Sequence, residues 1–150
     1  MIKKLERAKT VIFMGSEEIH NETFDHLLKD GFYNGTSTFV LVHILNDKSR
    51  TSFPPSVDVR SDAEVEKYIN QQFDKFEAKF IDEKTKPTVE RMILLNKDTK
   101  LQAVNFLKES EADSCVVATR GEQGVSGVFS ESMAYYLVAH APCDVLVIRP

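Results

Sequence analysis

Apolar residues in this chain fall into two alternating patterns, short unbroken runs and longer segments in which they recur every three or four positions. Residues 9–14 (KTVIFM) form a β-branched and aromatic run without polar alternation, the composition of a strand covered on both faces of a sheet. Asn21 ahead of Glu22 and Thr23 reads as a helix N-cap, Phe24, Leu27 and Leu28 share one helical face, and Gly31 supplies a stop. Together they predict a helix over 22–30. Thr38–Leu45 (TFVLVHIL) repeats the strand composition, and 46–60, with Pro54 and Pro55 adjacent, is expected to continue neither strand nor helix.

Ser61-Asp62-Ala63-Glu64 matches a capping box, in which the Ser61 hydroxyl and the Glu64 carboxylate each satisfy a backbone N–H at a helix start. Behind it Val65, Tyr68, Ile69, Phe73, Phe76, Phe80 and Ile81 recur at helical spacing, while Glu66, Lys67, Asp74, Lys75 and Lys79 fall on the solvated face. The aromatic stripe is the signature of core packing. Thr88–Leu95 reads as a third strand, 100–110 as a helix with Leu101, Val104 and Leu107 inward, and Ser114–Ala118 as a fourth strand. A helix over 132–140 and a strand over 143–148 (CDVLVI) close the chain, with Pro142 between them. Strands alternating with helices imply right-handed crossovers, hence an α/β fold: a five-stranded parallel sheet with helices on both faces. At 150 residues, without linker or internal repeat, 1–150 is expected to be a single domain.

Composition narrows the partners. Nineteen Lys and Arg against twenty-three Asp and Glu give a net charge of −4, and neither sign gathers in a block, which argues against nucleic acid. Four basic residues precede an apolar run that stops at Met14, too short for a signal-peptide core, and no segment reaches membrane-spanning length. A cytoplasmic location is expected. Cys115 and Cys143 lie far apart inside apolar runs, where a thiol behaves as a small hydrophobe. His20, His26, His43, His140 and these cysteines show no metal-ligand spacing.

In open α/β sheets ligands bind beyond the carboxyl ends of the strands. Of the segments that follow the strands, the one after Ala118 stands out: Gly121, Gly124 and Gly127 recur every third residue, with Arg120, Ser126, Ser130 and Ser132 close by. Glycines let main-chain N–H groups approach a phosphate, hydroxyls add donors, and the next helix offers its positive end to an anion. The spacing is neither GxxxxGK[ST] nor GxGxxG, so a plain glycine-rich connection and an anion site both remain open on these residues alone.

At these residues the chain resembles the universal stress protein family, whose nucleotide motif is G-x2-G-x9-G-[ST]. Ala118-Thr119-Arg120-Gly121 stands at G-x2-G, residues 122–130 are the nine between, and Glu131-Ser132 stands at Gly-[ST]. Residues 140–149 (HAPCDVLVIR) are similar to the family's closing helix end and last strand. The resemblance implies a Rossmann-like, adenine nucleotide alpha hydrolase-like fold, a stress-response role and pairing of two copies through the last strand, Val145, Leu146, Val147 and Ile148. Its departures matter too. Ala118 and Glu131 replace two motif glycines, and a carboxylate at a helix start opposes a polyphosphate. ATP-binding members carry V-D-x-S after the first strand; here Phe13-Met14-Gly15-Ser16 keeps Ser16 and puts Met14 at the aspartate position. The resemblance is therefore to the branch that does not bind ATP: a non-catalytic, homodimeric regulatory protein with a degenerate nucleotide loop and no cofactor. The alternative is an ATP-binding protein, with magnesium, or a slow ATPase.

Catalytic readings are weaker. Ser16, Ser126, Ser130 and Ser132 lack a G-x-S-x-G elbow or comparable context for a nucleophile. His43 within a strand reads as a packed or main-chain-bonded histidine, His140 as a helix C-terminal residue favoured by the dipole, and Glu17 and Glu18 as capping or solvated groups. An enzyme or electron-transfer subunit on the same architecture finds no added motif.

Overall fold

The computed structural model describes residues 9–29, 35–80, 87–119 and 131–149. The first apolar run is strand β1 (Lys9–Phe13), followed by helix α1 (Glu18–Glu22), a 3-10 turn (Thr23–Asp25) and helix α2 (His26–Lys29). Strand β2 (Thr38–Leu45) leads into a one-turn helix α3 (Asp47–Arg50) and the long helix α4 (Asp62–Phe80). Strand β3 (Thr88–Leu95), helix α5 (Thr99–Glu109), strand β4 (Ser114–Ala118), helix α6 (Glu131–His140) and strand β5 (Asp144–Ile148) complete the order.

All four strand pairings are parallel, in the order β3-β2-β1-β4-β5, with Val11 opposite Val40 on one side and Cys115 on the other. Successive strand side chains point to opposite faces, so each buried strand feeds two cores. On one face Ile12, Phe39, Leu41 and Val116 meet Val65, Ile69, Phe73 and Phe76 of α4 together with Phe24. On the other, Val11, Phe13, Val40, Val42, Cys115 and Val117 meet Ala103, Val104 and Leu107 of α5 and Met133, Ala134 and Leu137 of α6. This double burial is why the central strands read as unbroken apolar runs.

Four sequence expectations are corrected. The first helix begins at Glu18 instead of residue 22, and Asn21 is not its N-cap but a buried residue within it; Gly31 lies outside the described residues. Residues 46–60 do contain a helix, α3, because Asn46 and Ser49 cap each other reciprocally: the Ser49 N–H donates to Asn46 Oδ1 at 2.7 Å and the Asn46 N–H to Ser49 Oγ at 2.9 Å. Half of the box before α4 forms: the Glu64 N–H donates to Ser61 Oγ, while Glu64 Oε2 accepts the N–H of Asp58 instead of that of Ser61. Leu101 is 48% exposed rather than inward, since α5 turns Ala103, Val104 and Leu107 to the sheet. Boundaries shift by one residue at Thr99, Glu131 and Asp144, where Asp98 supplies the α5 cap through the Leu101 N–H.

Candidate functional site

The chain leaves β1 for β2 and β3 on one side and later adds β4 and β5 on the other, so the direction of winding reverses between β1 and β4. At such a switch point the connections from the strand ends diverge to opposite faces and open a crevice. The described residues that border it are those that follow Phe13 and, after β4, Thr119.

The loop after β1 is held by side chains from three elements. The Met14 N–H donates to the Val42 carbonyl at 2.8 Å, extending the ladder by one residue. Asn21 clasps Gly15, accepting its N–H at 2.8 Å and donating to its carbonyl at 2.9 Å, while Gln72 of α4 accepts from the same amide at 3.2 Å. The Tyr68 hydroxyl donates to the Ser16 carbonyl at 2.9 Å. Tyr68 titrates high, pushed up to about 12, first by burial and then by the Glu18 and Glu17 carboxylates, so it stays a neutral donor. His43 joins from β2. Burial lowers it to about 4, against the opposing effect of hydrogen bonding to the Met14 and Gly15 backbone. It is neutral at physiological pH, a main-chain-bonded core histidine as expected. Phe53 packs between them, its ring 5.9 Å from His43 and 5.4 Å from Tyr68.

Ser16 therefore sits in the crevice wall, buried, with its carbonyl engaged by Tyr68. Met14 is 1% exposed and packs in the α4-side core. An apolar side chain thus fills the position where an aspartate would present a polar group. A cavity of about 30 Å³ lies beside this loop, bordered by Met14, Asn21, Gln72 and Phe76. That volume suits a water or two and is too small for a nucleotide.

On the β4 wall, Thr119 donates its N–H to the Ile148 carbonyl at 2.8 Å. Its hydroxyl oxygen is buried and finds no hydrogen-bond partner among the described residues. Arg120, Gly121, Gly124, Ser126, Gly127 and Ser130 lie outside the described residues. Glu131 and Ser132 open α6, placing an acidic residue first in that helix. The structure thus buries Ser16 just beyond β1 and packs α6 beside α5 on the other face of the sheet from α4.

Sequence reasoning missed Asn21, Gln72 and Tyr68 as parts of this wall. Spacing carries no sign of them, because each acts on a loop from another element. Among the described residues no three His, Cys, Asp or Glu come together as a metal cluster, and no helix is long and apolar enough to cross a membrane.

Strand order, winding and crevice define a doubly wound parallel α/β protein of the nucleotide-binding kind. The universal stress protein family matches residues 25–149, and the chain belongs to that family. Among solved structures, universal stress protein UspA from Lactobacillus plantarum is 19% identical, with a TM-score of 0.68 over 97% of this chain and 100% of that one. A universal stress protein in complex with cAMP is 12% identical, with a TM-score of 0.65 over 96% and 98%. The universal stress protein from Archaeoglobus fulgidus in complex with dAMP is 14% identical, with a TM-score of 0.58 over 97% and 99%. At such identities the likeness is one of fold. No curated protein matches the chain significantly.

Proposed function

We propose that this chain is a cytoplasmic, non-catalytic stress-response regulator that acts as a homodimer and binds adenine nucleotides weakly at its β1/β4 crevice. The observation that carries the reading is Met14, buried in the core at the position where ATP-binding members of the family have an aspartate. Burying a thioether there offers a ribose or base no hydrogen bond, and the site's polar groups would lose water without a substitute. Glu131 at the first position of α6 works in the same direction. A carboxylate within about 4 Å of a phosphate costs on the order of 4 kcal/mol at an effective dielectric near 20. That alone lowers affinity by roughly a thousandfold.

A second reading, an ATP-binding protein that uses magnesium, is favoured by Thr119, whose buried hydroxyl lies at the head of the glycine-rich segment without a described partner. The nucleotide complexes of two similar folds point the same way. Residues suited to a bound polyphosphate are Arg120, Gly121, Gly124, Gly127, Ser126, Ser130 and Ser132, with Ser16 across the crevice; the phosphates would be their ligand and the base would meet Met14.

Calorimetric titration of ATP, with and without magnesium, separates the two. Wild type is expected to bind at millimolar levels or not at all. Glu131→Gly should improve affinity, and adding Ala118→Gly and Met14→Asp should improve it further. Micromolar binding by wild type, unchanged by these substitutions, would overturn the first reading in favour of the second.

A further inference from the structure

Helix α1 (Glu18–Glu22) has no apolar anchor among its described side chains. Of these Asn21 alone is buried; Glu18 and Glu22 are exposed, and Ile19 is 75% exposed. Beneath the helix lies the cavity of about 30 Å³, bordered by Met14, Gln72 and Phe76, in place of close packing. The helix is tied down by the exposed Glu18–Lys75 ion pair and by the Asn21 amide, which bonds Gly15 twice and Gln72 once. The 3-10 turn (Thr23–Asp25) that follows at once is anchored instead: Phe24 is fully buried, edge-on to Phe76 at 6.3 Å, and Asp25 pairs with Lys79 at 2.6 Å.

We propose that α1 is a lid, hinged at the 3-10 turn, which swings away from α4 while the sheet stays intact and uncovers the Met14–Gly15 wall of the crevice. A stretch of 3-10 geometry between two helical segments is a place where a helix bends, and the Thr23 hydroxyl, reaching back to the Ile19 carbonyl at 3.5 Å, adds to the bend. Phe24 makes the turn the fixed end, because drawing an aromatic ring out of the core costs more than parting an exposed ion pair. The bonds of Asn21 are exchanged for bonds to water when α1 lifts, so opening costs far less than unfolding the strands. One side chain determines what the lid moves. Asn21 holds both main-chain groups of Gly15, whereas the Met14 N–H is held by Val42 of β2 and the Ser16 carbonyl by Tyr68 of α4. Lifting α1 thus frees Gly15, opens the cavity onto the crevice and leaves both neighbours in place. The lid governs access to the crevice whatever ligand enters it, independently of the function proposed above.

The test is native-state amide hydrogen exchange on the full chain, followed residue by residue by NMR, with each rate compared with that of the unstructured amide. The Gly15 N–H, bonded to the Asn21 side chain, reports the lid; the Met14 N–H, bonded to the Val42 carbonyl one residue earlier, reports the sheet. Gly15 should lose protection about tenfold faster than Met14 or more, together with the Asn21 N–H, which is bonded to the Glu17 carbonyl at the base of α1. Lys75→Glu turns the Glu18 pair into a repulsion at the surface, and should speed Gly15 by about fivefold while leaving Met14 unchanged. Equal rates for Gly15 and Met14 in wild type, acceleration of the two together in Lys75→Glu, or an unaltered Gly15 in that variant would each overturn the proposal.

Discussion

His43 shows how one position in a strand carries both fold and site. Its ring lies in the sheet's α4-side layer, hydrogen-bonded to the Met14 and Gly15 backbone, and its pKa is lowered to about 4 by burial. Because the folded value lies below the ordinary 6.5, the unfolded chain binds the extra proton between those limits. The stabilisation is therefore complete above about pH 6.5 and lost as pH falls toward 4. A shift of this size corresponds to about 3 kcal/mol. Urea melts at pH 7 and pH 4 should show that loss in wild type, and His43→Gln should flatten the dependence in this window by about the same amount. An equal slope in the variant would assign acid sensitivity to the carboxylates instead.

Helix α5 ends on a residue whose backbone contradicts its side chain. Glu111 adopts a φ of 54°, the left-handed conformation that favours glycine. The Ala112 N–H reaches the Leu107 carbonyl and the Glu111 N–H the Lys108 carbonyl, the two bonds of a Schellman cap with Glu111 at C′. Glu111→Gly should relieve about 1 kcal/mol of strain, partly offset by the freedom glycine brings to the unfolded chain. The expected outcome is a gain of about 0.5 kcal/mol in chemical denaturation, and a loss would show that the carboxylate makes a compensating contact. In α4 the opposite substitution is costly: Phe73 is fully buried, with the Arg91 guanidinium 5.8 Å above its ring, so Phe73→Ala should cost about 3–5 kcal/mol. The Arg91 bridges to Asp74 and Glu77 are surface pairs and contribute little beside that packing.

The assembled sheet has two edges, β3 and β5, and they differ in guarding. Strand β3 carries Glu90 and Arg91, the latter tied to α4. Between its first residue, Asp144, and Arg149 beyond its end, β5 offers four apolar residues, of which Val145, Leu146 and Val147 are half-buried while Ile148 packs in the core. An apolar, uncharged edge invites a second strand, which supports the proposed pairing of two copies through β5. Val147→Lys should move the sedimenting species from dimer to monomer, with a thermal melt run beside it to separate lost pairing from lost folding. An unchanged dimer in a folded variant would place the contact elsewhere.

The pattern along the chain already contained five strands, their parallel arrangement and the buried stripe of α4, since strands covered on both faces and amphipathic helices write their burial directly into residue order. The V-D-x-S register in which Met14 departs was also legible there, because it depends on neighbours in sequence. The start of the first helix was not, because Asn21 is engaged by Gly15 and Gln72, neither of which adjacency could supply. Leu101 was misplaced for a related reason: helical spacing says which residues share a face but not how far that face is covered. The chain of hydroxyls from Thr36 through Thr10 to Ser114 and the clasp of Tyr68 on Ser16 arise across strands and helices. Local periodicity specifies which residues must be buried; the register of separate elements specifies which of them touch, and that is where the crevice wall was decided.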